Sequence, residues 1–361
     1  MKATKRLHDA GQSIWLDNIT RKLLDGGELA RYIRELSVTG LTSNPTIFDQ
    51  AISKSDDYDA GMRASLATGK TGEAIFFDLA LDDLTRAADL FREVYDRTNG
   101  VDGWVSLEVS PKLAYDTKST IAEAAELSAR AKRPNLFIKI PGTPEGLPAI
   151  EESIFAGVPV NVTLLFSAEH YVAAAEAYLR GIERRVEKGL DPYVASVASL
   201  FVSRWDVAIA EQVPAEMKHQ LGIAVGKRAY RRYRELLNTD RWLRLANFGA
   251  RPQRLLFAST GTKDPKASDI LYVKALAAPN TVDTMPEKTL LAFADHGEVG
   301  ALLPADGGDG EQELAAHQKA GIDLDALAAK LQRDGAESFV KSWDDLLGCV
   351  AKKSTALAKA S

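Results

Sequence analysis

The sequence predicts an α/β fold and, within that class, a single (β/α)8 TIM barrel with extra helices. Three observations predict it. Short apolar runs alternate with longer amphipathic stretches, eight such runs can be counted, and several are apolar on consecutive positions. The last feature is expected of parallel strands buried on both faces. The runs cover residues 14–17, 38–42, 104–109, 136–140, 158–165, 194–200, 254–259 and 271–276. A doubly wound open sheet shows the same alternation, so periodicity alone leaves that architecture open.

The intervening stretches carry helix signals. Residues 28–36 place Leu29, Tyr32, Ile33 and Leu36 on one face of a helix. Thr117 is a candidate cap for a helix through Arg130, and Ser167 for one over 168–188. Pro214 fits the first turn of a helix running to about Leu237. The span 49–96 is long for one crossover and is expected to hold several helices. After Pro279 the pattern reads as helical, broken by a Gly/Asp-rich loop at 305–310. Residues 322–358 are expected to pack on the barrel as a helical C-terminal extension. The expectation is one domain over 1–361, with the barrel at about 12–300 and the C-terminal helices at about 311–358.

Composition narrows the function classes. A chain of 361 residues, 45 % hydrophobic and 26 % charged, has an ordinary globular make-up and ample material for a core. The net charge of −5 offers no global basic field for nucleic acid, so any anionic ligand must be met by local groups. No apolar run approaches the length of a membrane span. Residues 1–9 carry basic side chains without the apolar stretch of a secretory signal. Cys349 is alone and forms no intrachain disulfide. A cytoplasmic protein without nucleic-acid or membrane partners is expected, and monomer and homodimer both remain open. His8, His170, His219, His296 and His317 lack metal-ligand spacing, and no phosphate-binding P-loop or dinucleotide fingerprint occurs. No metal or cofactor is expected.

In barrels of this kind the site lies at the carboxyl ends of the strands. Lys139 sits in the apolar run Leu136-Phe137-Ile138-Lys139-Ile140-Pro141-Gly142. Burial of a lysine favours the neutral amine, which attacks carbonyl carbon. The alternative is a charge at a strand edge, snorkelling to solvent or paired with a carboxylate. Asp17 ends the first run, as a turn cap or as a general base. Ser106 and Glu108 share one face of the third run. If that face points inward, Glu108 transfers protons or partners a buried cation. Asn44 precedes Pro45 and so reads equally as a turn residue. Asn161 and Thr163 share a face of the fifth run and need polar partners or a site. Arg204, after Ser199 and Phe201, suits a phosphate through its planar fork, or else simply begins a helix. Ser259-Thr260-Gly261-Thr262-Lys263 is a small-residue loop with a cation, placed where barrels often bind phosphate.

Taken in order along the strands, this series resembles the transaldolase family. The resemblance is carried by Gly40-Leu41-Thr42-Ser43-Asn44-Pro45-Thr46, Ile138-Lys139-Ile140-Pro141-Gly142-Thr143, Asn161-Val162-Thr163-Leu164-Leu165-Phe166-Ser167 and Ser199-Leu200-Phe201-Val202-Ser203-Arg204. It runs from about Ile14 to Pro286. The longer C-terminal part is similar to the larger bacterial branch, related to the transaldolase half of transaldolase–glucose-6-phosphate isomerase fusions. The chain is too short to hold both halves of such a fusion.

The resemblance implies phosphorylated sugar substrates and Schiff-base transfer of a dihydroxyacetone unit. Lys139 would form the Schiff base, Asp17 would take the C4 hydroxyl proton, and Glu108 with a water near Thr163 would move protons. Asn44, Asn161 and Ser199 would hold substrate hydroxyls. Arg204 would bind phosphate, with Lys263 as the second cation where many transaldolases carry arginine. Phe201 stands where related fructose-6-phosphate aldolases carry tyrosine, which favours transfer over release of free dihydroxyacetone. A fructose-6-phosphate aldolase-like enzyme and a non-catalytic sugar-phosphate-binding barrel are the competing readings.

Overall fold

In the computed structural model, which describes residues 1–359, eight parallel strands close into one barrel in sequence order. They are β1 (Gln12–Asp17), β2 (Val38–Thr42), β3 (Trp104–Glu108), β4 (Leu136–Pro141), β5 (Val160–Leu165), β6 (Ser196–Phe201), β7 (Arg254–Ala258) and β8 (Thr281–Met285). From β2 to β6 every strand residue is buried, which accounts for the near-continuous apolar runs. Closure is made by β1 on β8, from Gln12 opposite Thr281 to Leu16 opposite Met285. That pairing excludes the open sheet.

The eighth strand is not the one expected at 271–276. Leu271–Ala275 is a short helix, and the closing strand is Thr281–Met285, in a stretch expected to be helical. Burial of Tyr272, Val273 and Leu276 around exposed Lys274 follows the helical period. β8 carries three polar residues in five, so it lacks an apolar signature. Each finds a partner: Thr281 receives a hydrogen bond from Gln12, the Asp283 carboxyl lies 2.8 Å from the Thr260 hydroxyl, and the Thr284 hydroxyl meets that of Thr42.

The helix expectations fare better. Glu28–Leu36 is a helix as expected. Ser167 caps Ala168–Glu187 by accepting from the His170 N–H. The helix Thr117–Ala131 is capped by Asp116, one residue earlier than expected, because the Asp116 carboxylate accepts from the Ser119 N–H. Pro214 precedes only a 3-10 turn at Ala215–Met217, and the long helix there starts at Leu221. Residues 45–97 hold three helices, Pro45–Lys54, Asp59–Ala67 and Gly72–Arg97. Among the described residues no helix is long and apolar enough to cross a membrane.

Side-chain layers fill the barrel. Trp104 and Phe137 stack with centroids 4.0 Å apart, and Trp15 lies 6.1 Å from Phe137. A Cβ on Gly40 would stand 2.7 Å from the Trp15 ring and from the Trp104 carbonyl oxygen, so only glycine fits between that indole and the neighbouring strand's backbone. This aromatic plug closes the amino-terminal end. Ser106 and Glu108 on β3, and Lys139 on β4, follow Trp104 and Phe137 on the same strand faces.

One helix of 36 residues, Leu324–Lys359, ends the described chain. Trp343 packs edge-on against Phe76 at 4.9 Å, and Lys353 pairs with Asp59 at 2.8 Å. Gln332 sends its side-chain N–H groups to the carbonyls of Gly142 and Leu164, each at 3.0 Å. These carbonyls end β4 and sit at the irregularity in β5, where Leu164 adopts a left-handed φ of 59°. Gln332→Leu leaves two buried carbonyls unpaired and should destabilise the protein by about 1–3 kcal/mol. The measurement is the urea unfolding midpoint, and an unchanged midpoint would show that the clamp contributes nothing.

Candidate active site

Parallel register sets the chemistry side by side. Glu108 pairs with Lys139 across β3 and β4, and Lys139 with Asn161 across β4 and β5. The Lys139 Nζ donates to Glu108 Oε2 at 3.1 Å and to the Ser43 carbonyl at 3.0 Å. Both side chains are nearly closed off from solvent, at 6 % exposure for Lys139 and 5 % for Glu108. Ser43 is held at the end of β2 by its own hydroxyl, which donates to the Ser106 carbonyl. The amine is therefore neither snorkelling nor at a strand edge. It stands inside the barrel with one carboxylate partner, and Glu108 faces inward.

Asp17 approaches from β1, steadied by the Thr42 hydroxyl at 2.8 Å. That hydroxyl also lies 2.7 Å from the Thr284 hydroxyl. Burial pushes the Asp17 carboxyl above its ordinary range, against the opposing pull of Lys139, the Thr42 hydrogen bond and Lys263. Burial likewise raises Glu108, opposed by the charge and hydrogen bond of Lys139, with the Asp17 charge adding to the rise. Two carboxyls drawn toward their neutral form beside one amine are suited to exchanging protons with a bound substrate.

A cavity of about 450 Å3 opens above these groups at the carboxyl ends of the strands. Eight of the ten residues singled out from the sequence line it: Asp17, Asn44, Lys139, Thr163, Ser199, Phe201, Arg204 and Lys263. Glu108 and Asn161 do not line it. Asn161 is fully buried, donating to the Ser106 hydroxyl at 3.1 Å and accepting from the Ser199 hydroxyl at 2.7 Å. The Thr163 hydroxyl is buried at the cavity and has no protein partner, and neither has Glu108 Oε1. Asn44 does a second task, capping the helix Pro45–Lys54 by accepting from the Ile47 N–H at 3.2 Å. Turn residue and cavity wall are here the same side chain.

Arg204 and Lys263 supply positive charge at the cavity wall. Burial pulls the Arg204 guanidinium below its usual range, with Asp334 acting in the opposite sense. Its guanidinium carbon lies 5.5 Å from the centre of the Phe201 ring. Ser259 lines the cavity in a left-handed conformation (φ 56°), and its hydroxyl lies 2.9 Å from that of Ser203. Thr260, next in this loop, is 2.8 Å from Asp283 Oδ1 and 3.1 Å from the Thr284 carbonyl. One hydroxyl hydrogen cannot serve both acceptors. A protonated Asp283 completes the count by donating to Thr260 while Thr260 donates to Thr284.

The sequence reading missed part of the wall. Ser338, Phe339 and Ser342 come from the C-terminal helix, and Thr46 and Gln50 from the helix after β2. Thr46 and Ser342 hydrogen-bond to each other at 2.9 Å, tying the two helices together at the mouth. On an amphipathic helix such residues look like packing, and no local motif marks them. Ser259 and Thr284 carried a signal, since both are polar residues next to strand ends.

A buried amine flanked by two carboxyls at the mouth of a (β/α)8 barrel defines a protein equipped for carbonyl chemistry through lysine. The chain matches the transaldolase/fructose-6-phosphate aldolase family over residues 14–350 and belongs to it. It is 46 % identical over 354 residues to the transaldolase of Saccharopolyspora erythraea, covering 96 % of each chain. Transaldolase 2 of Streptomyces coelicolor is also 46 % identical over 354 residues, covering 96 % of this chain and 95 % of the relative. The transaldolase of Mycolicibacterium smegmatis is 44 % identical over 350 residues, covering 94 % of each.

The Asp283–Thr260 link makes stability depend on pH. Burial raises the Asp283 carboxyl to about 7 in the folded protein. The unfolded chain releases that proton near 3.8, the ordinary value. The contribution is therefore fully present below about 4, is lost as pH rises toward 7, and is flat above. Asp283→Asn, which keeps a donor to Thr260, should remove this slope. At pH 8 it should be more stable than the parent by up to about 4 kcal/mol, from ~1.4 kcal/mol per pH unit. Urea unfolding at pH 5 and pH 8 measures it, and an equal loss in both proteins would refute the protonated carboxyl.

Proposed function

We propose that this chain is a transaldolase, moving a dihydroxyacetone unit between sedoheptulose 7-phosphate and glyceraldehyde 3-phosphate to give erythrose 4-phosphate and fructose 6-phosphate. The observation that carries the reading is the Lys139 amine, buried within hydrogen-bond distance of Glu108 at the floor of the cavity that Asp17 also lines. Family membership and relatives named transaldolase support it. The same reading places the reaction in the non-oxidative pentose phosphate pathway.

Each step follows from the side chains at hand. Lys139 attacks the ketose carbonyl, and Glu108 takes a proton from the amine and returns one to the leaving hydroxyl, so that water departs and an iminium remains. The unpartnered Thr163 hydroxyl and Glu108 Oε1 are the groups that would hold a water for this shuttle. Asp17 takes the proton of the C4 hydroxyl as the C3–C4 bond breaks. The aldose leaves, and the electron pair is held as the enamine. Attack of the enamine on an acceptor aldehyde, with Asp17 returning its proton to the new hydroxyl, followed by addition of water to the new iminium, frees the product ketose and the amine. Arg204 and Lys263 meet the substrate phosphate as charge-assisted donors at the cavity wall. Asn44 and Ser199 are placed to bind hydroxyls directly, whereas Asn161 acts from beneath through the Ser199 hydroxyl.

Borohydride reduction with fructose 6-phosphate should leave a stable adduct on Lys139, located by peptide mapping. An adduct on another lysine, or none in active protein, would refute the assignment. Asp17→Asn should still form that adduct while kcat for transfer falls by about 100- to 10,000-fold, the range for a lost general base. Survival of near-parental turnover would remove Asp17 from the role. Fructose 6-phosphate consumption should depend on erythrose 4-phosphate. Equal turnover without it would favour the aldolase reading.

A further inference from the structure

The amine of Lys139 lies between two unlike surfaces. Below and beside it are polar groups: Glu108, the Ser43 carbonyl and the Thr163 hydroxyl. Against it stands one ring, Phe339, backed by a chain of aromatic contacts. Phe166 and Phe201 stand 5.2 Å apart, and Phe201 meets Phe339 edge-on at 6.3 Å. The Lys139 Nζ is 6.0 Å from the centre of the Phe339 ring. Phe339 comes from the C-terminal helix and is carried there by firm attachments. Gln332, seven residues before it and so two helical turns away, clamps the ends of β4 and β5. Ser342, three residues after it, bonds Thr46. The helix therefore presents one apolar ring to the reacting nitrogen while its neighbours Ser338 and Ser342 give hydroxyls to the same cavity.

We propose that Phe339 is a specificity-determining residue, one that keeps a proton-donating water from the enamine so that the dihydroxyacetone unit passes to an aldehyde rather than being released. This rests on the transaldolase reading above. Release requires a proton on the enamine carbon, giving an iminium. Water then adds to the iminium carbon, and dihydroxyacetone leaves as the amine is restored. Hydration of an iminium uses the water held by Glu108 and Thr163 in transfer and release alike, so the two outcomes part at protonation of the enamine carbon, which needs a water on the side away from those groups. An aromatic ring there offers no hydrogen bond to an ordered water and excludes its volume. The acceptor aldehyde enters from the open cavity and does not need that space.

The test compares the parent with Phe339→Ala and Phe339→Leu, each given fructose 6-phosphate with and without erythrose 4-phosphate. Free dihydroxyacetone reports release, and sedoheptulose 7-phosphate reports transfer. Their ratio should rise about tenfold or more in the alanine variant, a barrier change of ~1.4 kcal/mol. The leucine variant, which keeps an apolar bulk, should fall between. A residue that merely held the helix would lower both products together and leave the ratio unchanged. An unchanged ratio in either active variant, with the Lys139 adduct still trapped by borohydride, overturns the inference alone. Should the alanine variant lose all activity by undocking the helix, the leucine variant decides. Absence of the adduct in the parent protein would overturn the transaldolase reading and this inference with it.

Discussion

The structure depends on keeping an amine inside a barrel. Transfer of a charged or unpaired lysine into low dielectric costs several kcal/mol unless its hydrogens are met. Lys139 answers that cost with an acid from the neighbouring strand and a backbone carbonyl from β2. Each partner needs its own support. Glu108 faces inward because Trp104, Ser106 and Glu108 alternate on one strand face, and the Trp104–Phe137 stack leaves room only above it. The Ser43 carbonyl stays in reach because the Ser43 hydroxyl is tied to β3. Parallel register does the rest, since Glu108, Lys139 and Asn161 are opposite one another on three consecutive strands. A one-residue slip would turn the whole set out of the barrel.

Seven of the eight strands and most of the site could be read from the sequence for one reason. The strands that carry the chemistry are apolar on both faces, so a single Lys, Glu or Asn stands out against its neighbours. β8 fails by the same logic, because Thr281, Asp283 and Thr284 find polar partners across the barrel and the segment, lacking an apolar run, reads as part of a helical stretch. The apolar helix Leu271–Ala275, five residues long, took its place in the count. Alternation puts Asn161 and Thr163 on one face, but depth in the barrel is invisible in a one-dimensional pattern. The Asn161 amide is consumed by Ser106 and Ser199, one layer below the cavity.

The wall formed by Ser338, Phe339 and Ser342 was illegible for a different reason. These residues lie nearly two hundred positions after Lys139 in the chain, in a helix whose apolar face serves mostly to pack on Phe76 and Phe77. Nothing local separates a ring that meets Phe76 from a ring that meets Phe201. The distinction arises only from where the helix crosses the mouth, and that is set by Gln332 at one end and by Trp343 and Lys353 at the other.

The C-terminal helix is thus bound to the barrel through the strands that bear the chemistry. Gln332 holds the Leu164 carbonyl, and Leu164 follows Thr163, whose hydroxyl faces the cavity. The left-handed backbone at Leu164, unusual for a residue without special local hydrogen bonding, is sustained from outside the strand by that contact. The helix also supplies the only aromatic ring that the structure sets against the Lys139 nitrogen at cation–π distance among the described residues. A single element therefore does two things at once. It fixes the backbone beside the proton-transfer groups, and it gives the amine one dry side and one polar side. On the proposed mechanism, that asymmetry would shield an enamine in a cavity otherwise lined with hydroxyls and charges.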